Sequence, residues 1–446
     1  MRCANRNDKF GVPSKEPANV IDVDAVAGLS RRILGPEYKS LPPRSWGHTG
    51  ESFLATSPLL SEFTTPVLTL DRARLARNIA VMADWTERAG MLLAPHGKTS
   101  MAPQLWKQQL DAGSWAITLA TGWQVQVARA FAVERILLAN AEIDPVALTW
   151  IAAELDSHPT FEFYCWADSV ATVREMDRIL ATLGERPISV IVELGGPRGR
   201  TGARTIDEAI SVACAIAESS RLTLAGVGGY EGALSHDRSD AGLDAVRTYL
   251  GDVAALHRTL DGRNLYGEHA IVTAGGSAYQ DLVVEQLQSL TTECTVRTDV
   301  VLRSGAYVAH DDGFYSHISP LTSAHTDAPL SAAMHGWART VSRPEPGLAL
   351  LDAGKRDFPF DEGMPVAQHV RGTEILDSEA EVTALNDQHA FLRLPAENAA
   401  ALPVGSVVRL GLSHPCTAFD KWRLIPVIDD ADSHDPRVVD LVHTFF

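Results

Sequence analysis

The stretch Ala94-Pro95-His96-Gly97-Lys98-Thr99-Ser100 follows the apolar run Met91-Leu92-Leu93. A strand that ends in a Pro-His-Gly-Lys corner presents a lysine amine at the mouth of whatever the strand is built into. Burial lowers the pKa of such an amine and frees it as a nucleophile, the requirement for imine formation with a carbonyl cofactor. A second stretch, Ala274-Gly275-Gly276-Ser277, sets two residues without side chains beside a hydroxyl. Glycine lets backbone N–H groups approach an anion closely, so this loop reads as a phosphate cradle completed by the Ser277 hydroxyl. A lysine amine and an anchored phosphate are together what pyridoxal phosphate needs.

A third constellation is Ser413-His414-Pro415-Cys416. In an extended segment residues i and i+2 point to one side, so His414 and Cys416 could converge on one cation. Thiolate plus imidazole favours zinc, with Mn²⁺ or Mg²⁺ as alternatives, and two protein ligands leave coordination positions open. His389, in Asn386-Asp387-Gln388-His389, is a further candidate for that site. The loop from Gly195 to Gly202 superficially suggests a nucleotide-binding P-loop. Its glycine spacing is wrong and Arg200 stands where lysine is required. Arg200 reads instead as a cation facing the site, placed to polarise a cofactor oxygen or ring nitrogen.

These residues need a scaffold. Eight short apolar runs, at 91–95, 115–119, 136–139, 161–165, 188–192, 222–227, 270–273 and 299–302, alternate with helical patterns. Nearly continuous apolar runs are expected of parallel strands buried on both faces. Eight such strands within about 240 residues match a (β/α)8 TIM barrel, and no G-x-G-x-x-G follows the first strand to favour an open doubly wound sheet. In a barrel the chemistry sits after the strand ends, and Lys98, Arg200, Tyr230, Gly275, Gly276, Ser277 and Tyr307 all fall there. Beyond residue 320 the helical period fades into short strands and turns. The expected division is an N-terminal extension over 1–63 packing on the β domain, a barrel over 64–320, and a C-terminal, mainly β domain over 321–446.

Composition narrows the classes. A net charge of −17 argues against a general nucleic-acid or anionic-membrane binder. Five widely spaced cysteines indicate thiol usage rather than a disulfide framework. The polar start over 1–15 lacks a signal-peptide core, and no apolar run reaches the length of a membrane span. A cytoplasmic enzyme is expected.

Pro95-His96-Gly97-Lys98-Thr99 resembles the Pro-His-x-Lys-Thr signature of the D-threonine aldolase and D-serine dehydratase family, fold-type III pyridoxal phosphate enzymes with an alanine racemase-type barrel. Arg200-Thr201-Gly202, Tyr230-x-Gly232, Gly275-Gly276-Ser277 and the Tyr307 segment follow in the family's order, and Ser413-His414-Pro415-Cys416 is similar to its C-terminal metal motif. The resemblance spans roughly residues 60–430. It implies Lys98 as the imine-forming lysine, with His96, Arg200, Tyr230, Gly275, Gly276, Ser277 and Tyr307 around the cofactor and His414 with Cys416 on zinc. A His-x-Cys pair, rather than the His-x-Asp of the aldolases, leans toward dehydration of D-3-hydroxy amino acids such as D-serine to a keto acid and ammonia. Retro-aldol cleavage to glycine and an aldehyde is the alternative, and a racemase or a non-catalytic cofactor carrier stands further off. The resemblance also implies a homodimer in which the β domain of one subunit faces the barrel of the other.

Overall fold

A computed structural model describes residues 20–197, 199–372, 379–395 and 402–446. The polar stretch 1–15 and Cys3 lie outside the described residues. Two sheets account for all the strands among them. The first strand, β1 (Val67–Asp71), precedes eight parallel ones: β2 (Leu92–Leu93), β3 (Ile117–Leu119), β4 (Arg135–Ala141), β5 (Glu162–Ala167), β6 (Ile188–Glu193), β7 (Leu222–Gly228), β8 (His269–Ala274) and β9 (Arg297–Leu302). Their order is β2-β9-β8-β7-β6-β5-β4-β3. Trp115 N–H donates to Leu93 O at 2.7 Å and Thr118 N–H to Pro95 O at 2.8 Å, so the two ends meet and the sheet curls back on itself. This curled parallel sheet is the barrel expected from the alternation of runs.

The continuous apolar strands have two faces to bury. On β5, Tyr164 and Trp166 turn inward while Phe163, Cys165 and Ala167 join the outer, helix-covered core. On β6, Ile191 turns inward and Val190 and Val192 outward. Period-2 alternation is therefore present, but hydrophobicity does not mark it because neither face meets water.

The remaining strands are β10 (Met334–Glu345), β11 (Leu348–Leu351), β12 (Val366–Val370), β13 (Glu381–Leu385), β14 (Ala390–Arg393), β15 (Val407–Gly411), β16 (Leu424–Ile428) and β17 (Val438–His443). They form one sheet with β1, which lies antiparallel to β10 and parallel to β16. A barrel domain beginning at residue 64 is thus corrected: Val67–Asp71 is an inner strand of the C-terminal sheet, and the barrel begins after it. A fully buried strand reads the same whichever sheet it joins, so its partners were invisible in one dimension. Asp71 then caps the helix Arg72–Arg88, accepting from Arg74 N–H at 2.9 Å. Leu34, Leu41, Phe53, Leu60 and Phe63 from the N-terminal segment pack with Val67, Trp337 and Leu424 of this sheet. Among the described residues no helix is long and apolar enough to cross a membrane.

Three histidines, His257, His310 and His443, are buried, and burial holds each imidazole down at about 4. The unfolded chain takes up a proton on each near pH 6.5, so their contribution to stability is complete above that pH and is lost as pH falls toward 4. Thermal melts from pH 7.5 to 4.5 are expected to show a falling Tm, less steep in His257→Gln. A Tm that stays level over this window would contradict the assignment.

Candidate active site

Lys98 is delivered by a fixed corner. Beyond β2, Ala94 N–H bonds to Leu302 O at 2.9 Å and His96 N–H to Ser304 O at 3.1 Å, tying the segment to the end of β9. The chain then enters a 3-10 turn, Gly97–Thr99. Trp106 Nε1–H caps Gly97 O at 3.0 Å, and a Cβ at Gly97 would stand 2.5 Å from Ile117 Cγ2, so only glycine fits. Lys98 emerges partly buried at the C-terminal rim of the barrel. Among the described residues no carboxylate forms an ion pair with it. Burial lowers its pKa, Cys416 opposes this, and the positive charges of Arg200 and Arg303 reinforce it.

Below the rim lies Arg303, 1% exposed. Its Nε–H donates to Thr273 Oγ1 at 2.9 Å, its Nη2 bonds to Gly229 O, and its guanidinium covers the Trp166 ring at 4.7 Å. Sequence reading passed over it, although an arginine closing the apolar run Val300-Val301-Leu302 was a usable signal. His96 is partly buried beside Lys98, and desolvation followed by the charges of Lys98, Arg303 and Arg200 keeps it neutral, well below its ordinary pKa. Its Nδ1 has no hydrogen-bond partner.

The Gly275-Gly276 corner differs from the expected phosphate cradle. Both N–H groups donate to an anion, but the anion is the chain's own Glu231: Gly275 N–H to Oε2 and Gly276 N–H to Oε1, each at 2.9 Å. Glu231 is fully buried, and burial raises its pKa against these bonds. An acidic residue directly after Tyr230 gave no hint of this, because strand-end loops pair only in three dimensions. Ser277 Oγ and Ser304 Oγ lie 2.9 Å apart, sharing one bond and keeping capacity for another acceptor. Gln280, one turn on and fully buried, leaves both its amide atoms unpartnered.

Tyr230 also sits on the rim, with the Arg200 guanidinium over its ring at 4.7 Å. Burial pushes its phenol up to about 12, so it stays protonated. Tyr307 does not join this group. It is packed in the core with its hydroxyl accepting from Gln109 Nε2 at 2.9 Å, a helix anchor rather than a cofactor contact.

The His-x-Cys pair reaches the same rim from the β domain of its own chain. Thr99 Oγ1, next to Lys98, lies 3.3 Å from Cys416 Sγ. The segment is not extended: His414 is left-handed at φ 50° and precedes the helix Pro415–Phe419. That turn brings the two side chains together all the same. His414 Nδ1 is 2.6 Å from Asp361 Oδ2, and Asp361 Oδ1 accepts from Thr417 Oγ1–H at 2.7 Å. Burial works against protonation of His414, but bonds to Cys416 and Asp361 carry its pKa up to about 9. Burial likewise raises the Cys416 thiol, and His414, Thr99 and Lys98 together reverse this, so its pKa falls below the ordinary value. With Nδ1 fixed on a carboxylate, Nε2 and the thiolate form the N/S donor set that suits zinc. Asp361, which sequence reasoning missed, orients the pair. His389 is exposed in the turn between β13 and β14, where its carbonyl accepts from Asn386 N–H at 2.8 Å.

Two substitutions test this geometry. Glu231→Gln places an amide N–H₂ against one of the two glycine donors and is expected to cost about 1–3 kcal/mol, read as a lower Tm. Asp361→Asn frees the imidazole orientation and is expected to weaken zinc binding roughly 10- to 100-fold in a competitive titration. Unchanged values would remove each residue from its role.

Comparison with known proteins places this arrangement. Residues 333–428, which span the His-x-Cys segment, match the family described as "Putative serine dehydratase domain". A D-threonine aldolase from Arthrobacter sp is 25% identical over 386 residues, covering 84% of this chain and 92% of that protein. A 3-hydroxy-D-aspartate aldolase from Paracoccus denitrificans is 26% identical over 343 residues, covering 75% and 83%. Among solved structures, D-threonine aldolase from Filomicrobium marinum superposes with a TM-score of 0.72 at 23% identity, covering 86% of this chain and 96% of its own. D-threo-3-hydroxyaspartate dehydratase from Delftia sp. HT23 gives 0.66 at 20%, covering 86% and 97%. Alanine racemase from Bacillus anthracis gives 0.57 at 14%, covering 85% and 97%, a likeness of fold. The chain is thus similar in sequence to D-threonine aldolase and 3-hydroxy-D-aspartate aldolase, carries a match to the serine dehydratase domain over residues 333–428, and shares the alanine racemase-like fold.

Proposed function

We propose that this chain is a pyridoxal phosphate- and zinc-dependent lyase that eliminates water from D-3-hydroxy amino acids of the D-serine type, and that a water is taken up again on hydrolysis of the released product, so that the net products are a 2-keto acid and ammonia. One observation carries the reading: a desolvated amine, with no carboxylate partner among the described residues, shares a rim with a His–Cys pair of the same chain. The residues around it fit the cofactor. Lys98 supplies the amine, Ser277 and Ser304 hold free hydroxyl capacity, and the unpartnered polar atoms of His96 and Gln280 are the kind of orphan that a bound group satisfies. When bound, pyridoxal phosphate supplies an electron-withdrawing ring that acidifies the substrate α-carbon, and zinc supplies a Lewis acid for the β-oxygen.

The chain's own groups set the proton chemistry. Burial and the two arginines favour the neutral amine of Lys98, the form able to take an α-proton at Nζ. His96 stays neutral and Tyr230 stays protonated, so neither adds charge beside that amine. Asp361 holds the proton on His414 Nδ1, so that a metal displacing the proton from Nε2 would find that nitrogen as its electron-pair donor. The Arg200 guanidinium stands over the Tyr230 ring at 4.7 Å, a contact that holds it at the rim.

The cysteine of the His-x-Cys pair favours elimination. The named relatives include aldolases, so retro-aldol cleavage to glycine and an aldehyde is the second reading. Purified protein incubated with D-serine, D-threonine and their L-forms, with and without a chelator, separates the two by product. Keto acid from the D-forms, lost on chelation, is expected. Activity on L-forms alone, or full activity without zinc, would defeat the proposal. Lys98→Ala is expected to lose about 10²- to 10⁴-fold in rate together with borohydride trapping of the cofactor.

A further inference from the structure

We infer that Asp311 is the positioning residue that sets the His414–Cys416 pair over the barrel, by clasping the last barrel loop to the backbone of His414. The inference rests on reading that pair as a metal site. Asp311 is 1% exposed, and its carboxylate collects four backbone N–H bonds. Oδ1 accepts from Gly313 at 3.2 Å, Tyr315 at 2.9 Å and Ser316 at 3.2 Å, the opening of the helix Phe314–Ile318. Oδ2 accepts from His414 N–H at 3.0 Å, in the other domain. An ionised carboxylate, with two oxygens that only accept, can serve all four donors, whereas an amide would turn an N–H₂ toward one group of them.

The grip is reciprocal. Ser413, just before His414, accepts from Phe314 N–H at 3.2 Å and donates to Glu362 O at 2.8 Å. The two loops touch so closely that a Cβ at Gly313 would stand 2.5 Å from Ser413 Oγ. Between these contacts His414 is held at φ 50°, ψ 82°, a left-handed conformation that residues with a Cβ seldom adopt. This backbone turn carries the imidazole to Asp361 and Cys416. Asp361 orients the ring, and Asp311 fixes the backbone from which the ring projects. At this left-handed residue the bond from the His414 N–H to Asp311 spans the two domains.

The test uses full-length protein stripped of metal with a chelator. Zn²⁺ is titrated against a chromophoric competitor, and Co²⁺ is added separately to read its thiolate charge-transfer and d–d bands. Asp311→Asn is expected to bind zinc roughly 10- to 100-fold more weakly than wild type and to shift the cobalt spectrum, with borohydride trapping of the cofactor at Lys98 retained. Ser413→Ala, which removes the other half of the clasp, is expected to weaken zinc binding severalfold and decides the matter if Asp311→Asn is not recovered folded. Wild-type affinity with an unshifted cobalt spectrum in the folded variants would overturn the inference alone. Loss of cofactor trapping with zinc affinity intact would also overturn it, making Asp311 a general support of the fold. A wild-type protein that takes up no zinc would bring down the metal-site reading and the inference with it.

Discussion

A partly buried amine stays reactive only while no carboxylate comes within reach, and the rim around Lys98 is built to that constraint. Two buried carboxylates lie at or just after the ends of neighbouring barrel strands, and each is engaged by other groups. Glu231 is held by the N–H groups of Gly275 and Gly276, and Glu193 accepts from Thr201 Oγ1–H at 2.8 Å. Arg303, enclosed by Gly229 O, Thr273 and Trp166, adds positive charge beneath them without approaching solvent. Burial and positive neighbours act in one direction on the lysine, and among the described residues it has no ion-pair partner. Only the Cys416 thiol opposes them, and it belongs to the pair read as metal-binding.

Chain threading fixes the distance between that thiol and the lysine. The chain enters the β domain first, as β1 between β10 and β16, then builds the barrel, and finally returns to complete the sheet around β1. Asp71 joins the passages directly, capping the helix Arg72–Arg88 with one oxygen and accepting from Ala431 N–H at 3.0 Å with the other. Two domains bound by a shared strand and a shared carboxylate have little freedom to separate. The contact between Thr99 and Cys416 is therefore a consequence of topology, and the bonds of Asp311 and Ser413 refine it locally.

Much of the site was legible because its parts are local in sequence. The Pro-His-Gly-Lys corner and the His-x-Cys step each lie within a few residues, whereas the two glycines before Ser277 give their N–H groups to the distant Glu231 instead of the expected phosphate. The barrel was legible because eight buried strands impose eight apolar runs. Tyr307 misled for the opposite reason: its place after the last strand matched the site, but its ring is turned inward to Gln109. The His-x-Cys side chains meet by a different route from the one expected, since a left-handed residue and a helix start, not an extended segment, align the pair.

By itself the sequence determined the residue types at the strand ends, the number of barrel strands and the soft donor pair downstream, because side-chain chemistry and burial periodicity are written in linear order. Only the tertiary structure decided which donors meet which acceptors. That Glu231 occupies the glycine N–H groups, that Arg303 lies under the lysine, that Asp361 and Asp311 hold His414, and that β1 belongs to the distant sheet all depend on contacts between segments far apart in the chain. A buried hydrogen bond is satisfied by whatever the fold brings near it, and linear spacing carries no record of that choice.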